Sequence, residues 1–258
     1  MSAQRIRQPR VAELVASRLR DDILTGRLKE GDVLPSQESL FAEFGVSPPA
    51  VREAIHILES DGLISVRRGN VGGAVVHLPS AERTAQMISM VLQTRAATPS
   101  DVSEALLHLE PICAGMCAAR PDRETEVVPH LRAAIQAQIE QFETPSRYVP
   151  NARRFHEAVV SRCGNEPMIL LIGSLEVIWS AHESSVWSDE RHPGDPMEPR
   201  TMRAALRDHH RLLDAIADGN SVRAARLAQD HLAAARRNTL AAGSDKTIEA
   251  KLISNHDH

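Results

Sequence analysis

Twelve histidines are spread through the 258 residues, and three of them have the residue type and spacing to hold a metal ion. His209 and His231 fall on two helix-periodic stretches, 199–218 and 221–241, separated by Gly219-Asn220. His209 lies ten residues before Gly219 and His231 twelve after it. At a rise of ~1.5 Å per residue both stand roughly 15–18 Å from the turn, so an antiparallel helical hairpin brings them to similar height. His156, in NARRFHEAVVSRCGN, is the candidate third imidazole. Three imidazoles converging inside a bundle suit a divalent transition metal such as zinc. The competing reading is three unrelated, partly buried histidines. A hydrolytic role has less behind it. His156-Glu157 begins a His-Glu-x-x-His frame, but Val160 stands at the closing position, so the zinc-protease motif fails.

A second stretch, Val46 to Glu59, reads as a short helix built to be laid against something. Ser47 is placed as an N-cap, and Pro48 suits the first helical position because its missing N–H would have no partner there. Val46 and Val51 sit where a hydrophobic staple would fix the entry of the chain. Val51, Ala54, Ile55 and Leu58 follow the i, i+3, i+4, i+7 pattern of one buried face. Pro48, Pro49, Arg52, His56 and Glu59 then point outward. Such a helix reads equally as a DNA recognition helix or as an ordinary surface helix, and its neighbours decide.

Upstream, residues 10–25 carry Val11, Leu14, Val15, Leu19 and Ile23 at helical spacing, and Gly26 ends that helix. Ser36 caps a second helix whose buried side is Leu40, Phe41 and Phe44, closed by Gly45. Two short helices joined by a glycine-containing turn form a helix-turn-helix. Downstream, Leu63–Val66 and Ala74–Leu78 read as strands flanking Arg67-Arg68-Gly69-Asn70-Val71-Gly72-Gly73. That hairpin is a wing. Its glycines let the backbone approach a partner, and its arginines can meet phosphates or enter a minor groove. The loop lacks the Gly-Lys-Ser/Thr of a Walker phosphate loop.

Composition bounds the rest. Aromatics are 3% of the chain against 42% hydrophobic residues overall, so the core is built of Ala, Leu, Val and Ile, which suits packed helices. No apolar run approaches the ~20 residues of a membrane span, and the charged start is unlike a signal peptide. Cys113, Cys117 and Cys163 do not suggest a disulfide framework, and the i, i+4 pair Cys113/Cys117 reads as small buried residues. The chain is expected to be cytoplasmic. Net charge is −4, but residues 1–20 hold five arginines against one glutamate, and Arg67-Arg68 form a second cluster. Local positive faces are what DNA responds to, although a frayed basic tail has the same composition.

From residue 79 the chain reads as entirely helical: 81–95, 100–119, 122–143, 147–163, 166–187, 199–218 and 221–241, with Pro111 expected to kink the second of these. The fold class is mainly α. An N-terminal winged helix-turn-helix domain (1–78) precedes an all-α antiparallel helical bundle (79–242), and 243–258 is expected to be a disordered tail.

The stretch GRLKEGDVLPSQESLFAEFGVSPPAVREAIHILESDGLISVRRGNVGGAVV resembles the winged-helix reader of the GntR family of bacterial transcription regulators. The likeness covers about residues 10–78. It rests on the Gly-Asp-x-Leu-Pro-Ser turn, the Val-Ser…Val-Arg-Glu-Ala helix and the Leu-Glu-x-Asp-Gly-Leu-Ile link into the wing. It implies DNA contacts at Ser36, Ser47, Arg52, Arg68 and Gly69, with Pro48, Pro49 and Asn70 at the same two places. Two positions depart from the pattern: Glu38 stands where many members have arginine, and Pro48-Pro49 where many have arginine or threonine. The two prolines remove donors that could hold a phosphate, which shifts the burden to Arg52 and the wing.

LEPICAGMCAA, RRFHEAVVSRCGN and DHHRLLDAIADGNSVRAARLAQDHL together resemble the FCD ligand-sensing domain of FadR-like members of that family. The resemblance selects His209 over His210, and implies either a metal held by His156, His209 and His231, as in the metal-containing members, or an acyl-CoA site with no metal. The aspartate that metal-containing members place one turn before the first histidine is Ala152 here. A fourth ligand must then come from Asn151, water or a bound effector. An arginine often found four residues before the Glu110 position is Leu106 here. Asn151, Arg153 and His182 are the candidate effector contacts, although by type Arg153 and Arg154 read first as solvated surface charges and His182 as a core histidine.

The reading is therefore a ligand-responsive regulator and not an enzyme. It is expected to bind double-stranded operator DNA as a homodimer, as the resemblance implies and as two half-sites match two-fold symmetry, and to act as a repressor whose operator affinity is changed by a small organic acid or acyl compound bound in the bundle. The alternatives are a metal-dependent enzyme using the three histidines and a constitutive DNA-binding protein with a structural bundle.

Overall fold

The computed structural model describes residues 11–67, 73–143, 145–186, 197–242, 247, 248 and 250. The chain forms two compact units, Met1–Pro79 and Ser80–His258.

The first unit runs α1 (Val11–Leu24), α2 (Gln37–Phe44), α3 (Pro48–Ser60), β1 (Ile64–Arg67) and β2 (Gly73–Val76). Its core gathers Val15, Leu19 and Ile23 of α1, Leu40 of α2, Val51, Ile55 and Leu58 of α3, and Ile64 and Val76 of the strands. Side chains of this kind contribute roughly 1.5–3 kcal/mol each on full burial, enough to hold three short helices together. Val11 and Leu14, expected on the inner face of α1, are half exposed. Ala12 and Ala16 take the close contacts instead, so the stripe is rotated from the larger residues. Phe41 and Phe44 are only partly buried against Leu40. Gly45 ends α2 at φ 63°, a left-handed conformation that costs a residue with a Cβ.

Ser36 caps α2 by accepting from Ser39 N at 3.1 Å. Ser47 does not cap α3 with its side chain, contrary to the sequence reading. Pro49 at the second position has no N–H to offer, and Ala50 N donates to the Ser47 carbonyl at 3.0 Å. β1 and β2 pair antiparallel from Ile64↔Val76 to Arg67↔Gly73. Glu30 clamps the base of this hairpin, accepting from Leu78 N at 2.5 Å and meeting His77 Nδ1 at 3.0 Å. The wing tip, with Arg68, Gly69 and Asn70, lies outside the described residues.

The second unit is an antiparallel bundle of α4 (Ala81–Thr94), α5 (Pro99–Ala119), the short α6 (Arg123–Glu126), α7 (Val128–Glu140), α8 (Pro145–Ser161), α9 (Glu166–Val186), α10 (Pro199–Ala217) and α11 (Ser221–Ala242). Thr98 and Asp101 open α5 with a reciprocal capping box. The helix expected over 122–143 is split at Val127. The Pro129 ring would collide with the Thr125 carbonyl in a continuous helix, so the chain restarts as α7. α5 runs through Pro111 as one helix.

α10 and α11 form a hairpin through Gly219, at φ 72°. Arg123 of α6 reaches the end of α10 and donates to the Ala217 carbonyl at 3.1 Å, which fixes the turn. The tail is not wholly free. Ile248 is buried in the bundle core, and its N–H donates to the Ala97 carbonyl at 2.9 Å. The expected disorder therefore does not extend to Ile248, whose apolar side chain fills a place by the α4–α5 turn.

Candidate functional site

Three helices point histidines into one space. On α10 the buried stripe Met202, His209, Leu212, Leu213, Ile216 carries an imidazole among apolar side chains. On α11 His231 sits between Ala228 and Leu232 on the buried side. His156 is buried on α8 beside Phe155. The three Nε2 atoms lie 3.3 Å (His156–His209), 3.2 Å (His209–His231) and 3.2 Å (His156–His231) apart. A tetrahedral ion with Zn–N bonds of ~2.0–2.1 Å holds its nitrogens roughly 3.3–3.4 Å apart, so the spacing fits one ion equidistant from all three.

The rings are oriented from behind. His156 Nδ1 meets Glu110 Oε1 at 2.5 Å, and His209 Nδ1 meets Gln138 Oε1 at 2.8 Å. His231 Nδ1 faces Asp208 Oδ2 at 3.7 Å. The Gln138 amide donates to the Tyr148 oxygen at 2.7 Å, and Tyr148 donates to the Met202 carbonyl at 2.6 Å. Burial pushes the Tyr148 phenol up to about 12, so it stays a donor. Gln138 therefore turns its oxygen to His209, which must carry its proton on Nδ1 and present a lone pair on Nε2. Carboxylate or amide oxygens behind ligating histidines are the usual support of a metal centre.

Burial lowers the pKa of His156 to about 4, aided by the nearby charge of Arg153 and opposed by Glu110. Burial likewise holds His209 well below its ordinary value, with His231 and His156 adding to the shift. Both rings are thus neutral at pH 7, the form that binds metal. Burial disfavours charge on Glu110, but His156 and Arg153 outweigh it and hold its carboxyl below the usual range. Glu110 Oε2, fully buried, has no hydrogen-bond partner. The donor set and its spacing fit a divalent ion. The cysteines do not compete for it: all three are buried and free, and burial drives the Cys117 thiol up to about 12.

Beside the triad lies a cavity of about 420 Å³. Ala152, Ala204, Ala205, Ala234 and Ala235 on its wall leave the room, and Ala152 lies one turn before His156 on α8. Of the expected effector contacts, Arg153 lines this cavity, whereas Asn151 and His182 are half-buried and do not. His182 packs near Trp179 instead. The surface placement of Arg153 is corrected. It is 4% exposed and paired with Glu176 of α9, with Glu183 Oε2 3.7 Å from its Nε. Arg154 is exposed, as is Glu157, the would-be base of the broken protease frame.

Sequence reasoning missed Glu110, Gln138, Asp208, Glu176 and Glu183. A signal existed: Glu110 interrupts the buried stripe Leu106, Cys113, Ala114, Cys117, and Glu176 and Glu183 interrupt Ile172, Trp179, Val186. A charge repeating within an apolar stripe marks a buried ion.

In the reader, Ser36, Ser47, Pro48, Pro49 and Arg52 are all exposed, as is Glu38 in the first turn of α2. Arg20 is held by Asp61 at 2.5 Å, and Arg18 and Arg27 lie against Asp22. Arg18 and Arg27 thus share the single carboxylate of Asp22, and both are more than half exposed. Among the described residues no helix is long and apolar enough to cross a membrane.

Two family models match the chain: the gntR family of bacterial regulatory proteins over residues 11–75 and the FCD domain over residues 101–234. The chain is similar to the HTH-type transcriptional regulator Mce2R of Mycobacterium tuberculosis, with 27% identity over 248 residues, 93% of this chain and 96% of that protein. It is also similar to the HTH-type transcriptional repressor NanR of Klebsiella aerogenes, with 24% identity over 92% of this chain and 88% of the relative. Among solved structures, Streptococcus agalactiae GntR superposes with a TM-score of 0.67 at 21% identity, over 88% of this chain and 99% of that one, a likeness of fold.

Proposed function

Given that the chain belongs to the GntR family of bacterial regulatory proteins and carries an FCD domain, we propose that it is a cytoplasmic, ligand-responsive transcription repressor and not an enzyme. The winged helix binds double-stranded operator DNA as part of a homodimer. α3 enters the major groove from its two-proline start, Arg52 reads a base edge, and Ser36, Ser47 and the wing residues Arg68, Gly69 and Asn70 hold the flanking backbone. The bundle cavity takes a small organic acid or acyl compound, with Arg153 in its wall. His156, His209 and His231 hold a divalent ion such as zinc.

One observation carries the sensor half: three imidazole Nε2 atoms converge at 3.2–3.3 Å on the wall of a cavity of about 420 Å³. When bound, the ion supplies a Lewis-acidic attachment point for an anionic group. Ala152 leaves a coordination position facing the cavity, while Glu110, Gln138 and Asp208 fix the rings. The effector changes operator affinity through its differential affinity for two dimer arrangements, a coupling of about 1–3 kcal/mol in systems of this kind.

The test is selection of a preferred duplex from a random library, followed by affinity measurements on it. Zinc-loaded, chelated and acid-supplemented full-length protein are compared. The reading expects a palindromic preference and a change in affinity on loading or ligand addition. No preference over random competitor sinks the regulator reading. A preference untouched by metal or any acid leaves only a constitutive binder.

A further inference from the structure

Glu183 on the cavity wall is not accounted for by an effector that is simply an acid. We propose that the cavity takes an acid that also carries a protonated amine, seated on the Glu183 carboxylate. This rests on the triad holding a divalent ion.

Glu110, Glu176 and Glu183 are 1%, 2% and 5% exposed, and Arg153 is the cation buried with them. Arg200 and Arg207, both exposed, also line the cavity and can meet an acid group, whereas Glu183 is a buried carboxylate on its wall. A ligand with both an acid and an ammonium group meets both kinds of partner.

Geometry places the ammonium. The Arg153 guanidinium lies against Glu176, and Glu183 keeps only its Nε at 3.7 Å. Glu183 Oε1 accepts from Thr239 Oγ1 at 3.0 Å. Its Oε2 accepts no hydrogen bond among the described residues. Glu183 lines the cavity, whereas Glu176 does not. The carboxylate presented to a ligand is therefore one that a neighbouring arginine only half compensates. A charged donor on such an acceptor forms the stronger class of hydrogen bond.

α11 runs from one pole to the other. His231 and Thr239 are eight residues apart on α11, about 12 Å of helix axis. Ala234, Ala235 and Asn238 line the cavity over that interval. A short methylene chain between acid and amine suits this floor better than an α-amino acid with both groups on one carbon.

The test uses full-length protein loaded with zinc, its metal content fixed by elemental analysis. Titration calorimetry compares 4-aminobutanoate, 6-aminohexanoate and lysine with butanoate and hexanoate, and with hexylamine as the amine lacking an acid. The expected result is at least one aminated acid binding about tenfold or more tighter than its amine-free match and than hexylamine. Glu183→Gln should erase that preference without lowering zinc content. Equal or tighter binding of the amine-free acids, no binding by any aminated acid, or an unchanged preference in E183Q overturns the proposal. The wild-type comparison alone decides it should the variant fail to fold. Protein that takes up no zinc fails at the preceding reading instead, and the elemental analysis tells the two failures apart.

Discussion

Every buried polar or charged side chain among the described residues lies in the bundle, from Ser89 to Thr239, and none lies in the reader. The reader has a dry core of Val, Leu, Ile and Ala and keeps Ser36, Ser47 and Arg52 at the surface. The bundle buries Glu110, Arg153, Glu176, Glu183 and three histidines next to an open volume. A dry core is stable whatever is bound, and suits a unit that reads a polyanion from outside. A core of half-compensated charge is costly until something completes it, and so its stability depends on what it holds. The contrast predicts that metal and effector act on the bundle, and that mutations of the reader change binding without touching the metal.

The largest effect sharpening that contrast is at the triad. His209→Ala and His231→Ala should each weaken zinc binding by more than the roughly 10–100-fold that loss of a supporting outer hydrogen bond costs. Zinc-dependent stabilisation should vanish with it. Retention of wild-type zinc content by either variant would separate the triad from the metal.

Acid comes next. The folded pKa of His156, about 4, lies below its ordinary 6.5. Between those values the unfolded chain binds a proton that the folded chain refuses, so stability rises with pH across this window. Metal-free protein should lose on the order of 3 kcal/mol between pH 7 and pH 4 from this ring, with His209 acting in the same direction. Chelated protein followed by denaturant titration checks this, and a flat profile would contradict neutral burial of the rings.

On the reader side, Arg52→Ala should weaken operator binding by roughly 1–3 kcal/mol and relax preference at one position per half-site, with zinc content unchanged. Binding that weakens equally on all sequences would make Arg52 a phosphate contact. The smallest pair concerns the caps. Ser36→Ala should cost about 1 kcal/mol of stability, whereas Ser47→Ala should cost less than about 0.5 kcal/mol, because Ser47 makes no side-chain cap bond. Equal losses in thermal denaturation would assign Ser47 a cap bond that the structure lacks.

The same contrast decides what could be read in advance. The reader announces itself through punctuation: Ser36, Gly45, Pro48 and the glycines of the wing each have a local conformational reason, and the family resemblance covers the whole stretch. His209 and His231 were legible as a pair because Gly219 sets their height. What required the structure was tertiary. That Arg153 turns inward depends on α9 presenting Glu176 and Glu183, a long-range packing fact that the period of α8 does not contain. The break before α7 was local and visible in Pro129. The seating of Ile248 depends on a slot at the α4–α5 turn that no local pattern signals.

The account stands most directly on the metal content and coordination of full-length protein purified without chelator and loaded with zinc. Elemental analysis with X-ray absorption should give one ion per chain bound by three imidazole nitrogens at ~2.0–2.1 Å, with a lighter-atom ligand completing the shell. Protein that retains no ion, or whose zinc is bound mainly by sulfur, would contradict it.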